Sequence, residues 1–131
     1  MTLEITTPDF KLELTPEVFE GPSPYNADLH VNVESRSFSA RIDIDTGTLQ
    51  LEEFFKQLKK VYDRLSGNAE LKGNDGQKIA FEALKTGHIK ISGAFSKFGT
   101  SEDFKLSFSA EVDQTDLKDF VGKMDQLLRG K

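Results

Sequence analysis

Two stretches of this chain carry apolar residues at helical spacing, and everywhere else the apolar period falls to two. Leu51, Phe54, Phe55, Leu58, Val61, Tyr62 and Leu65 recur at i, i+3, i+4, i+7, i+10, i+11 and i+14, which is one continuous face of an α-helix. Leu117, Phe120, Val121, Met124, Leu127 and Leu128 repeat that spacing near the C-terminus. Neither stripe can be left in water, so each helix needs an apolar surface to lie on.

The period-two segments supply that surface. Leu3-Glu4-Ile5 and Lys11-Leu12-Glu13-Leu14 alternate apolar and polar residues, as half-buried strands do. Ala27, Leu29, Val31 and Val33 alternate with Asp28, His30, Asn32 and Glu34. After Ser35-Arg36-Ser37, Phe38, Ala40, Ile42 and Ile44 alternate with Ser39, Arg41, Asp43 and Asp45. So short a connection implies an antiparallel pair with one apolar and one polar face. Strands are also expected at 69–71, 79–82, 88–95 and 104–112, with turns at Gly73-Asn74-Asp75-Gly76 and Thr86-Gly87. Pro16, Pro22 and Pro24 point to an irregular surface loop over 16–26, carrying Phe19 and Tyr25. A second loop is expected over 96–103. Thr48 suits the N-cap of the first helix and Gly67 its left-handed C-cap. Asp113 or Thr115 can cap the second helix, and Gly130 can end it.

These elements predict an α+β fold: a mostly antiparallel sheet of about six to eight strands, with both amphipathic helices packed on its one apolar face as a two-layer sandwich. The 131 residues fit a single domain over 1–131. A strand-pair-then-helix order occurs twice, and the two helical stripes share the same spacing.

The search for chemistry is negative. With no cysteine, thiolate zinc sites, thiol nucleophiles and disulfides are excluded. The two histidines, His30 and His88, both fall on the polar phase of strands, where a solvated side chain is expected; histidine chemistry would need an orienting partner. Asp43-Ile44-Asp45-Thr46-Gly47 opens like a calcium loop but offers Gly47 and Phe54 where further oxygen ligands belong. Gly73-Asn74-Asp75-Gly76 lacks a following Gly-Lys-Ser/Thr, and Gly87, Gly93 and Gly99 precede no helix, so neither cradles a phosphate. Glu52-Glu53 and Asp113 with Asp116 stand at helix beginnings, where they complement the dipole. The cations Lys56, Lys59, Lys60 and Arg64 are interrupted by acids and read as a solvated helix face. No enzyme, cofactor or metal site is expected.

The formal net charge is −5, with 30% charged residues. That balance argues against nucleic-acid or membrane-surface binding, and suits either plain solubility or a basic partner. The start, Met1-Thr2-Leu3-Glu4-Ile5, is not a signal peptide. No run approaches the roughly 18 apolar residues of a membrane span, so a cytoplasmic location is expected.

The ordered pattern as a whole resembles a known family. Leu51-x-x-Phe54-x-x-x-Leu58, Leu65-x-Gly67-x-Ala69-x-Leu71, Gly87-x-Ile89-x-Ile91-x-Gly93, Leu106-x-Phe108 and Asp113-Gln114-Thr115-x-Leu117-x-x-Phe120 are similar to the WapI-type family of immunity proteins. The resemblance implies a bacterial antitoxin that binds and blocks the C-terminal domain of a contact-delivered toxin, without catalytic residues of its own. Its contact residues do not transfer, because toxin-facing surfaces vary among such proteins. The chain's own exposed candidates are Tyr25, Asp28, Glu34, Asp43 and Asp45, suited to a basic partner. The alternatives are a small-molecule-binding domain and a structural or assembly domain, each using the polar sheet face.

Overall fold

Alternation is realised as eight antiparallel strands, shared between two sheets. The computed structural model describes the backbone of residues 2–74, 76–98 and 103–129, and the side chains of these apart from 96–98, 103–104 and 128–129. Sheet A is the meander β1 (Leu3–Thr7), β2 (Phe10–Val18), β3 (Ala27–Ser35), β4 (Ser39–Thr46). Helix α1 (Thr48–Arg64) follows. Sheet B is the meander β5 (Asn68–Lys72), β6 (Lys78–Ala83), β7 (His88–Phe98), β8 (Asp103–Asp113). A 3₁₀ turn (Gln114–Leu117) leads into α2 (Lys118–Arg129). The doubled order hinted at by the two stripes is thus four strands and a helix, twice.

The α+β class, the antiparallel pairing and the two helices are as expected, but the strands do not join into one sheet. Helix α1, with 17 residues, carries the chain about 25 Å from the end of β4. β5 therefore starts a new sheet beside β6. The two sheets touch where the β5–β6 turn reaches back, the Asn74 N–H donating to the Asp45 carbonyl at 2.8 Å.

Each helix leaves the sheet that precedes it. α1 lies against β5 and β6, and α2 against β1 and α1. Leu51, Phe54, Phe55, Leu58 and Val61 of α1 are buried, as are Phe120, Val121 and Met124 of α2. They join Leu3, Ile5, Leu12, Leu14, Leu29, Val31, Ile79, Phe81, Ile89 and Ile91 in one contiguous apolar cluster. The rings of Phe54 and Phe81, and of Phe81 and Phe120, lie 6.0 Å apart, a spacing at which tilted aromatic pairs attract. At the far end Phe10 of β2 meets Phe108 of β8, which stacks on Phe95. Gly93 makes room there, since a Cβ would run into the Phe108 ring.

Several local expectations change. β2 runs through Pro16, whose partner is Leu29. β1 pairs only as far as Leu3 with Leu14, so the missing N–H interrupts no described ladder on that side. The irregular segment shrinks to 19–26. Phe38, expected on the apolar face, is 40% exposed: it stands in the β3–β4 turn ahead of β4, its carbonyl accepting from the Ser35 N–H at 2.9 Å. The N-cap of α1 is Gly47, with no side-chain cap of its own; Thr48 is the first helical residue, and its N–H is received by Asn26 Oδ1 at 3.0 Å. Leu65, not Gly67, takes the left-handed position that closes α1, at φ 49°. β7 and β8 extend into the segment expected to be a loop, while 99–102 lie outside the described residues, as do Gly130 and the side chain of Leu128.

Candidate functional site

Splitting the sheet splits the polar surface into two faces of different character. Among the described side chains of sheet B the outward charges are mixed: Glu70, Glu82, Glu111 and Asp113 stand among Lys72, Lys78, Lys90 and Lys105. Glu70 pairs with both Lys72 and Lys78, at 3.4 and 3.2 Å. On sheet A the outward phase holds Glu4, Glu13, Glu17, Asp28, Glu34, Asp43 and Asp45 against Lys11 and Arg41. The excess of five carboxylates on this face equals the formal charge of the whole chain.

The negative charge is densest at one end. Register places Glu17 opposite Asp28 and Asp28 opposite Asp45, three carboxylates abreast. Opposed side chains of this kind sit about 5 Å apart, where like charges repel. The next row holds Thr15, His30 and Asp43. His30 Nδ1 lies 2.6 Å from Asp43 Oδ1 and His30 Nε2 lies 3.0 Å from Glu17 Oε1. Two carboxylates facing both ring nitrogens favour the imidazolium, which can donate to each. The hydrogen bond to Asp43, then that to Glu17, raises the His30 pKa above its ordinary value. Burial, followed by the charge of Asp45, pushes the Asp28 carboxyl up as well, against the lowering pull of His30. Glu17, Asp28 and His30 present ligand atoms all within 4.8 Å of one another, and Glu17 and His30 of that set already bond to each other.

The apolar neighbours of this acidic end come from the β2–β3 loop. The ladder extends one bond past Val18, the Phe19 N–H donating to the Asn26 carbonyl at 2.8 Å. Alternation along β2 then carries Phe19 to the Glu17 side. The loop is pinned to the start of α1 by Asn26 on Thr48, and by the Pro24 carbonyl, which sits where a Cβ on Gly47 would go. The Tyr25 N–H donates to Ser23 Oγ at 3.1 Å. Val18, Phe19 and Tyr25 remain 56%, 44% and 51% exposed.

The five residues singled out from the sequence therefore separate. Asp28, Asp43 and Asp45 are neighbours, and Tyr25 lies exposed in the loop that enters β3 just before Asp28. Glu34 does not join them: it pairs with Lys11 and Ser39, six residues and about 20 Å farther along β3. The sequence reading placed Glu17, Val18 and Phe19 in the 16–26 loop, whereas Glu17 and Val18 belong to β2 and only Phe19 lies beyond it. The period-two continuation from Lys11 through Glu17 is the signal that extends the strand, and Pro16 masked it. The two histidines stand on different sheets. His88 has its own carboxylates, Asp113 at 3.0 Å and Glu111 at 3.8 Å.

The described residues thus make an α+β protein whose negative charge is concentrated on one face of sheet A. The chain belongs to the immunity protein WapI-like family, whose family model matches residues 2–130. It therefore falls among the immunity, or antitoxin, proteins. No curated protein matches it. Among solved structures it is similar to a chain of the Trypanosoma bruciei MRP1/MRP2 crystal structures. The TM-score is 0.55 at 12% identity, over 92% of this chain and 74% of that one. At that identity the likeness describes the fold alone. Among the described residues no helix is long and apolar enough to cross a membrane.

Proposed function

We propose that this protein neutralises a toxin by stoichiometric binding to the toxin's C-terminal domain, using the outward face of sheet A rather than any chemistry of its own. The family match across residues 2–130 carries the antitoxin reading. The concentration of carboxylates on one sheet face directs it to a surface. Asp28, Asp43 and Asp45 form the contact with Tyr25 beside them, and Glu34 is left out because of its distance. Such a face attracts a basic partner over long range and speeds encounter.

The test is co-expression with the toxin domain encoded beside this chain's gene. Growth should be restored, and the two purified proteins should elute together as a complex of fixed stoichiometry. A toxin that kills equally with and without this protein, and does not co-elute with it, would end the reading. Catalytic processing of the toxin, seen as a change in its mass, would replace binding with enzymology.

A further inference from the structure

Acidic rows alone would fit any cation, but the end of sheet A is not only acidic. Glu17, Asp28 and Asp45 stand abreast, and just past Val18 the chain turns into a loop that leaves Phe19 and Tyr25 exposed. Exposed aromatic rings lose apolar hydration when covered, and the ties to Asn26, Thr48 and Gly47 hold this loop in place. Rigid aromatic side chains beside fixed charges are what interface anchors are made of, because little conformational freedom is lost on binding.

We propose that this corner of the molecule, Phe19 and Tyr25 with the Glu17–Asp28–Asp45 row, docks a protein surface on which lysines or arginines flank an exposed apolar side chain. The proposal rests on the binding reading above and narrows it to one end of the sheet and one partner chemistry. A second copy of this chain is the poorer occupant, since two like corners would bring six carboxylates together. Asp28 and Asp45 supply the charge, the aromatic pair supplies the anchor, and Glu34, on the same face, supplies neither.

The test compares Phe19→Ser/Tyr25→Ser, Asp45→Lys and Glu34→Lys with the unaltered protein, each checked by circular dichroism for a native spectrum and a cooperative melt. The first partner is the toxin domain; the second probe is a lysine-rich peptide containing one tryptophan, beside an all-lysine peptide of equal charge. Because the chain has no tryptophan, peptide emission reports burial directly. Toxin affinity should fall about tenfold or more in the first two variants and less than about threefold in Glu34→Lys. The tryptophan peptide should blue-shift and bind more tightly than the all-lysine one, and lose that advantage in the aromatic variant. If the variants bind toxin as tightly as the unaltered protein, the corner is wrong while the antitoxin reading stands. If the unaltered protein does not bind the toxin, that reading falls and the peptide decides the corner: a site-dependent blue shift upholds it, and no shift overturns it. Self-association abolished by Phe19→Ser/Tyr25→Ser would give the corner to a second copy and also overturn the proposal.

Discussion

His30 and Asp28 are adjacent on one strand face and have opposite effects on stability. The histidine's pKa is raised in the folded protein by Asp43 and Glu17. Below the unfolded value of about 6.5 the ring is charged in both states, and its ion pairs stabilise fully. As pH climbs past that value the unfolded chain releases its proton first, and the contribution drains away until the folded pKa is passed. The stability lost on His30→Gln, read from urea melts, should be larger near pH 5.5 than near pH 8.5. A gap that widens with pH would show that the ring is not held as an imidazolium. Asp28 also has a raised pKa, but for a carboxylate this means that ionisation is unfavourable in the fold, through burial and Asp45. Its penalty is present above the folded pKa and relieved as pH falls. Asp28→Asn should therefore stabilise at neutral pH, by about 0.5 kcal/mol or roughly 2 °C in Tm, while weakening partner binding. A lower Tm would mean that the amide breaks contacts which the carboxylate keeps.

At the scale of elements, the start of α1 and the β2–β3 loop form one unit. Gly47 offers no side chain to the first turn, so Asn26 of the loop receives the Thr48 N–H in its stead. Asn26→Ala should lose about 1 kcal/mol of stability and, by freeing the loop that carries Phe19 and Tyr25, lower affinity as well; Asn26→Asp, which keeps the acceptor, should restore the helix cap. An alanine variant with full affinity would separate the loop's order from its use. This contact also marks where sequence reading stops. Both helices and the β3–β4 hairpin were legible because their periods are local, and alternation alone put Asp28, Asp43 and Asp45 on a polar face. The cap was not legible, because its donor and acceptor are 22 residues apart. Nor was the division into two sheets: period two tells which face of a strand is buried, but not which strand lies beside it. Pro16 hid Glu17's place in β2 for a related reason. A proline looks like a break until one knows that β1 pairs no farther than Leu3.

At the scale of the molecule, the charge and the core are arranged independently. One apolar cluster runs through both sheets and both helices, so the acidic face of sheet A can be altered without reaching what holds the fold together. The ionic atmosphere then acts on two quantities in opposite senses. Attraction to a basic partner is screened by salt, and affinity falls. Repulsion within the face is screened too, and the free protein becomes more stable. The screening length is about 30 Å at 10 mM and 8 Å at 150 mM salt. It therefore moves from longer than the roughly 20 Å that separates Glu34 from Asp28 to shorter than it, while remaining above the ~5 Å between Asp28 and Asp45. Salt should relieve the collective repulsion of the face more than its closest pair. The expected result is a Tm that rises with NaCl over that range, in the unaltered protein and also in Asp28→Asn, whose remaining outward carboxylates still repel. Calorimetry at matched pH would measure it. A Tm that falls with NaCl would mean that ion pairs such as Lys59 with Asp125 between the helices outweigh the repulsion of the face.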